Sequence, residues 1–444
     1  MTNRIGSERV VGGWLRQLAA MLKVGVIGFG GGSALIPVME KELVRPGRLS
    51  DGEFVQDTVI ANITPGALPV KLAALSGARL GGSRLSSMSA LVVALPGTAA
   101  TVALLALFAQ LGPGAIRSIE FASLGVTAFI LYLLAHYVVK VLAPEHRVRT
   151  IPIVIAVIAF LAGGAGKTVE LGQELIGVDA VRAVPELSAL GLVLVALVAI
   201  SILSLWQYLR RHRVDESDSH EPRPGQIRRA IRSVVMLAGM TAVGLSVSVL
   251  VPPAGDTLRF LGLVLASTVT SFGGGEAYVG VADGFFVAGG DLESSVFYGQ
   301  IVPVANALPG PILVKIAAGI GYVLGGEAGL PAAIAAFLVA VGSCSAIAVA
   351  VLAGYDRARN SLLVRNVSTY IMPVICGLLA STSVAMLQSN VRIAEEAGAP
   401  AGVTVLASIA LAALVPLVRI RLKVPDIVFI VVFGTLSLAI LEVI

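Results

Sequence analysis

Of the 444 residues, 56% are apolar and only 13% charged, and the formal net charge is +5; an ordinary soluble domain carries roughly 25% charged residues. No water-soluble fold has an interior large enough to hide that much apolar surface, so the bilayer is the solvent. The basic residues fall in short loops beside apolar runs, which is the positive-inside pattern and not a nucleic-acid footprint.

A span needs about 20 apolar residues to cross roughly 30 Å of hydrocarbon. In chain order, apolar helical segments fall at 15–39, 52–82, 85–111, 115–140, 149–165 and 188–210. The first is interrupted by Gly30, Gly31 and Gly32 instead of ending in a small-residue cleavage site, so no removable signal peptide is read. The second is broken at Thr64, Pro65 and Gly66. A polar stretch from Arg211 to Arg229 reads as a solvated linker. Beyond it come segments at 231–252, 257–282, 292–326 (broken at Leu308, Pro309 and Gly310), 329–353, 361–387, 402–419 and 425–443. The expected fold is all-α and polytopic, with about 9 to 13 membrane segments. Residues 1–210 form one transport repeat, 211–256 a charged linker plus an extra transmembrane helix, and 257–444 the second repeat.

The repeat extends to individual residues. A shift of 244 places Gln56 on Gln300, Asn62 on Asn306, Pro65-Gly66 on Pro309-Gly310, Val70-Lys71 on Val314-Lys315, and Leu80-Gly81-Gly82 on Leu324-Gly325-Gly326, with 13 of 27 positions identical. A shift of 243 puts Phe29-Gly30-Gly31-Gly32 on Phe272-Gly273-Gly274-Gly275 and Glu40 on Asp283. Basic clusters at the N-terminus, at 146–149, in the linker, at 357–359 and at 419–423 belong on the cytoplasmic side. The extra segment at 231–252 then makes the second half start outside, so the halves are inverted. Inverted repeats with discontinuous helices are a common construction in secondary transporters, whose substrate site lies near the midplane.

Four groups of residues suit an anion. Pro65-Gly66 and Pro309-Gly310 each break a helix inside the membrane, because proline lacks an amide hydrogen and glycine permits non-helical angles; the amides freed at the following half-helix form a natural anion site. The glycine runs, Gly30 to Gly32 and Gly273 to Gly275, can present successive amides as a nest or let helices pack tightly. Lys71 and Lys315 lie five residues beyond each break glycine, roughly 7 to 8 Å along a helix. An intramembrane lysine costs about 2.5 to 3.5 kcal/mol on insertion scales and is a functional candidate by default, with snorkelling to a headgroup as the bland reading. Asn62 and Asn306 can donate to an oxyanion or cap the broken helix. Glu40, Asp283 and Glu276 are candidates for carrying a coupling proton. The two cysteines and four histidines show neither a disulfide framework nor ligand spacing, so neither metal nor cofactor is expected. His-Glu-x-x-His and Gly-x-Ser-x-Gly are absent, which leaves an intramembrane enzyme as the weaker alternative.

At these residues the chain resembles the chromate ion transporter family. Its members carry Phe-Gly-Gly early in each homologous domain and a downstream Pro-Gly-Pro; here these read Phe29-Gly30-Gly31-Gly32 with Pro65-Gly66-Ala67, and Phe272-Gly273-Gly274-Gly275 with Pro309-Gly310-Pro311. Ala67 stands where the first motif would have its second proline, and Lys71 and Lys315 where a small or neutral polar residue is usual. The resemblance implies movement of chromate across the bacterial cytoplasmic membrane, with efflux and resistance the usual activity and sulfate a competitor of the same charge and shape. Loop charge and the number of crossings place the N-terminus in the cytoplasm and the C-terminus outside, and with no nucleotide-binding loop visible a proton or counter-ion gradient is expected to supply the energy. Sulfate, phosphate or an organic anion is the alternative cargo, and a homodimer is compatible with this reading.

Overall fold

The computed structural model describes residues 2–28, 35–111, 113–143, 150–176, 187, 189–210, 224–249, 254–272, 275–354, 362–395, 397–422 and 426–443. The described residues are helical, with no strand among them. In chain order the helices are α1 (Thr2–Ile27), α2 (Ile36–Leu43), α3 (Asp51–Ile63), α4 (Leu68–Phe108), α5 (Pro113–Leu142), α6 (Thr150–Ile176), α7 (Ala189–Arg210), α8 (Pro224–Ser246), α9 (Ala254–Thr270), α10 (Gly275–Ala282), α11 (Ser294–Val296), α12 (Val302–Ala307), α13 (Ile312–Leu324), α14 (Gly329–Ala353), α15 (Leu362–Glu395), α16 (Ala401–Leu422) and α17 (Asp426–Leu441). Seven of them are long and apolar enough to cross a bilayer, and shorter apolar helices include Ile312–Leu324 and Asp426–Leu441. The chain is an all-α polytopic membrane protein.

α4 is two helices joined at Gly82, whose φ of 72° and ψ of −155° no helix contains. Its first limb therefore has 14 residues, about 21 Å at 1.5 Å per residue, too short for the hydrocarbon layer. That limb runs antiparallel to α3, tied by Arg79 to Asp57 and Gln56, both at 2.8 Å. α1 and α2 make a similar hairpin: Lys23 pairs with Glu42 at 2.6 Å, and the Arg48 guanidinium donates to the Arg16 carbonyl at 2.8 Å. Both hairpins open at the same end, because Gly81 lies against the Trp14 indole, where a Cβ would come within 2.7 Å of Nε1.

Contacts divide the chain into two compact units that do not follow the sequence halves. Unit 1 is Met1–Val102, Ser201–Gly275 and Leu308–Ser368; unit 2 is Ala103–Ile200, Glu276–Ala307 and Thr369–Ile444. Each unit thus draws elements from both repeats. Within unit 1, α14 packs along α8, α9 and α13. Its apolar stretch is 72% buried, against 22% for α7, so α14 is a core helix and α7 a peripheral one. Within unit 2, α5 packs on α16 and α17, and the Phe129 and Phe429 rings stack at 5.6 Å. On α6, Ile151, Val154, Ile158 and Leu161 are exposed at helical spacing, an apolar stripe suited to lipid and unsuited to water.

Candidate functional site

Both helix breaks fall where the sequence places them, and for the stated reason. α3 begins with a capping box: Ser50 Oγ accepts from the Glu53 amide, and the Glu53 carboxylate accepts from the Ser50 amide at 2.9 Å. α3 ends at Thr64, whose ψ of 150° is extended, because the residue before a proline is pushed out of the helical region. Gly66 follows at φ 98° and Gly310 at φ 97°, a left-handed conformation that side chains disfavour.

The two breaks meet the opposite repeat. The Gly66 amide donates to the Ser271 carbonyl at 2.6 Å, and the Gly310 amide donates to the Gly28 carbonyl at 2.8 Å. Gly28 and Ser271 are themselves repeat-related, each standing immediately before a Phe-Gly-Gly-Gly run. The peptide groups exposed by breaking one half are thus satisfied by the other, as a non-helical backbone inside a membrane requires. Gly275, which closes the second run, packs on Ile312 just beyond the second break; a Cβ on Gly275 would sit 2.8 Å from that of Ile312. All these residues belong to unit 1.

Lys71 and Lys315 do not snorkel. Their residues are 2% and 0% exposed, and each ammonium folds back seven residues to the last carbonyl before its break: Lys71 to Thr64, Lys315 to Leu308. Each lysine thereby caps the C-terminal end of the preceding half-helix, where positive charge is favoured. The Lys71 side chain is close to Cys344, and the Lys315 stem is close to Gly97. Asn62 and Asn306 donate to the carbonyls four residues back, Thr58 and Val302, both at 2.8 Å. They hold the last turn of their own helices.

The matched acids part company. Glu40 is exposed. Asp283 is buried in unit 2 and paired with Lys167 at 2.8 Å. It opens a π-helical turn, Asp283–Val287, and the buried Tyr298 from a second such turn, Phe297–Ile301, lies beside it. Gly30, Gly31, Gly32, Gly273 and Gly274 lie outside the described residues, as do His146, His212, His220 and the side chain of Glu276. Among the described residues no cluster of His, Cys, Asp and Glu is arranged to hold a metal ion.

Sequence reasoning missed three participants: Cys344, Gly97 and the Asp57–Arg79 pair. Only Gly97 carried a signal, following Pro96 inside a span. Asp57 and Arg79 have Ile301 and Val323 as repeat partners, so symmetry gives no warning of them.

A family model described as "Chromate transporter" matches residues 15–205 and 258–438, one match per repeat. A curated relative, "Uncharacterized transporter YwrB" of Bacillus subtilis (strain 168), is 37% identical over 99 residues, which is 22% of this chain and 50% of that protein. The chain therefore matches only about half the length of that relative. No solved structure matches.

Proposed function

Because the chain belongs to the chromate transporter family, we propose that it is a secondary transporter that carries a small divalent oxyanion, chromate first and sulfate in competition with it, by alternating access. The observation that carries this reading is the pair of crossed breaks, Gly66 on Ser271 and Gly310 on Gly28, each with a buried lysine folded onto it.

A buried ammonium bonded to one neutral carbonyl is held only modestly. Burial costs about 2.5 to 3.5 kcal/mol on insertion scales, and a hydrogen bond involving a charged group returns about 1.5 to 3. An oxyanion is a stronger acceptor than a carbonyl, because both partners are then ionised. A dianion arriving at the breaks can therefore draw Lys71 and Lys315 off Thr64 and Leu308, and two ammonium groups neutralise its two charges. The first amides of α4 and α13 have no intrahelical acceptors and add to the attraction. Alternating access follows from the inverted relation of the repeats: what one half does toward one side, the other does toward the opposite side. The Asp283–Lys167 pair is the candidate for coupling to protons, in preference to the exposed Glu40. The bacterial cytoplasmic membrane, with the N-terminus inside, is the proposed location.

The test is flux of labelled chromate and sulfate into proteoliposomes of known orientation, with the proton gradient imposed and then collapsed. Saturable chromate uptake that unlabelled sulfate inhibits is the expected result. Folded protein that carries neither ion would move the cargo to phosphate or an organic anion.

A further inference from the structure

Away from the crossed breaks, the turn between the two limbs of α4 closes a cleft of about 420 Å³. Its walls include Trp14, Arg79, Gly81, Arg84 and Arg232, and among the described residues no carboxylate lines it. Arg84 and Arg232 are exposed, while Arg79 forms the floor with its side chain 20% exposed. Arg79 already faces Asp57, and the Arg84 and Arg232 guanidinium groups beside it repel one another unless an anion answers them. Gly82 at φ 72° makes the turn, and Gly81 seats the Trp14 indole as described above. The second limb of α4 starts here, so its first amides lack intrahelical acceptors.

Arg79 is shared. It gives Nε to Asp57 Oδ1 and Nη2 to Gln56 Oε1, which uses two of five guanidinium donors. Asp57 is fully buried, and its Oδ2 has no hydrogen-bond partner. The carboxylate therefore holds Arg79 at the cleft floor without saturating it, and anything negative in the cleft competes with Asp57 for the same group.

We propose that this cleft binds a tetrahedral oxyanion group through Arg79, Arg84 and Arg232, either a free sulfate-like ion or the phosphate of an anionic lipid headgroup. The planar fork of arginine matches such oxygens two at a time, which a lysine does not. The cleft holds an ion with several of its waters, given about 30 Å³ of liquid volume per water, so binding here does not require the dehydration that the buried breaks demand.

The test uses the full chain carrying W206F, which leaves Trp14 as the sole tryptophan, in phosphatidylcholine nanodiscs. Sodium sulfate is titrated against sodium chloride at constant ionic strength while Trp14 fluorescence is read. A saturable change specific to sulfate is expected, weakened roughly tenfold or more by R84Q/R232Q, as the loss of charge-assisted bonds implies. Asp57→Asn should tighten binding by releasing Arg79. Adding phosphatidylglycerol to the nanodisc separates the two sources: a fall in apparent sulfate affinity assigns the site to the headgroup, and an unchanged affinity assigns it to the free ion. The proposal is overturned if sulfate and chloride act alike in both lipid mixtures, or if R84Q/R232Q, shown to be folded by its melting curve, binds sulfate as before. Because the readout is binding, it stands or falls apart from any transport assay.

Discussion

Gly97 and Cys344 occupy repeat-related positions, and each faces the break of the opposite half. The shift between them, 247, also carries Leu85 onto Ala332, which lie against the repeat-related Gly77 and Gly321. Gly97 closes against the Pro309 carbonyl, and Gly66 against Cys344 Cβ. The chemistry differs to match. In the first half the Ala67 amide faces the Cys344 thiol; in the second, Pro311 has no amide to offer and Gly97 has no side chain to receive one.

This relationship makes the two break glycines unequal. At Gly310 a methyl group would meet nothing nearer than 3.4 Å, so G310A costs only the backbone strain, about 1 to 3 kcal/mol. G66A adds a collision with Cys344. Thermal melting of the detergent-solubilised protein should fall further for G66A than for G310A, and G66A/C344G should recover the difference less the cost of a glycine inside a helix, about 0.5 to 1 kcal/mol. Equal melting of the two single variants would count against the Cys344 contact.

Replacing Lys71 or Lys315 with methionine keeps the stem and removes the charge. Each change leaves a buried carbonyl without its donor, at about 1 to 3 kcal/mol. Oxyanion flux per folded protein should drop by about tenfold or more in either variant, since one of two neutralising charges is gone. Normal flux in a folded K71M/K315M protein would reduce the lysines to helix caps.

Asp283 is buried and Lys167 part-buried, so removing the lysine takes away the cation beside a buried carboxylate. K167M should destabilise by about 1.5 to 3 kcal/mol, and K167M/D283N should recover much of that loss. Melting temperatures of the four proteins in the cycle give the coupling. If the double variant loses the sum of the two single losses, the 2.8 Å contact contributes little. Proton dependence of flux in D283N, measured beside it, tests the coupling role.

The inverted arrangement predicts opposite sidedness for equivalent loops. Arg45 and Ala288 are repeat-related by the shift of 243, and both are exposed. In a C344A/C376A background, a membrane-impermeant maleimide applied to intact cells should label A288C and leave R45C unlabelled until the membrane is opened. Labelling of both from outside would make the repeats parallel.

What the sequence determined alone is the solvent, the repeat and the places where helices stop. These are properties of composition and of local backbone chemistry: apolar runs of a given length, loop charge, a proline that forbids a helix and a glycine that permits a left-handed turn. Thr64 and Gly66 take the angles their neighbours impose wherever the rest of the chain lies. What only the tertiary structure decided is which group each exposed donor meets. The Gly66 amide finds Ser271, more than two hundred residues away, because the two halves are laid across each other; Lys71 and Lys315 turn back to carbonyls instead of reaching for headgroups because both are enclosed on every side. The repeat pattern misled at Glu40 and Asp283, which align in sequence yet differ in burial, since burial depends on neighbours such as Lys167 that the repeat does not duplicate. Asp57 and Arg79 were invisible for the same reason: two charges 22 positions apart form a pair only once antiparallel limbs bring them face to face.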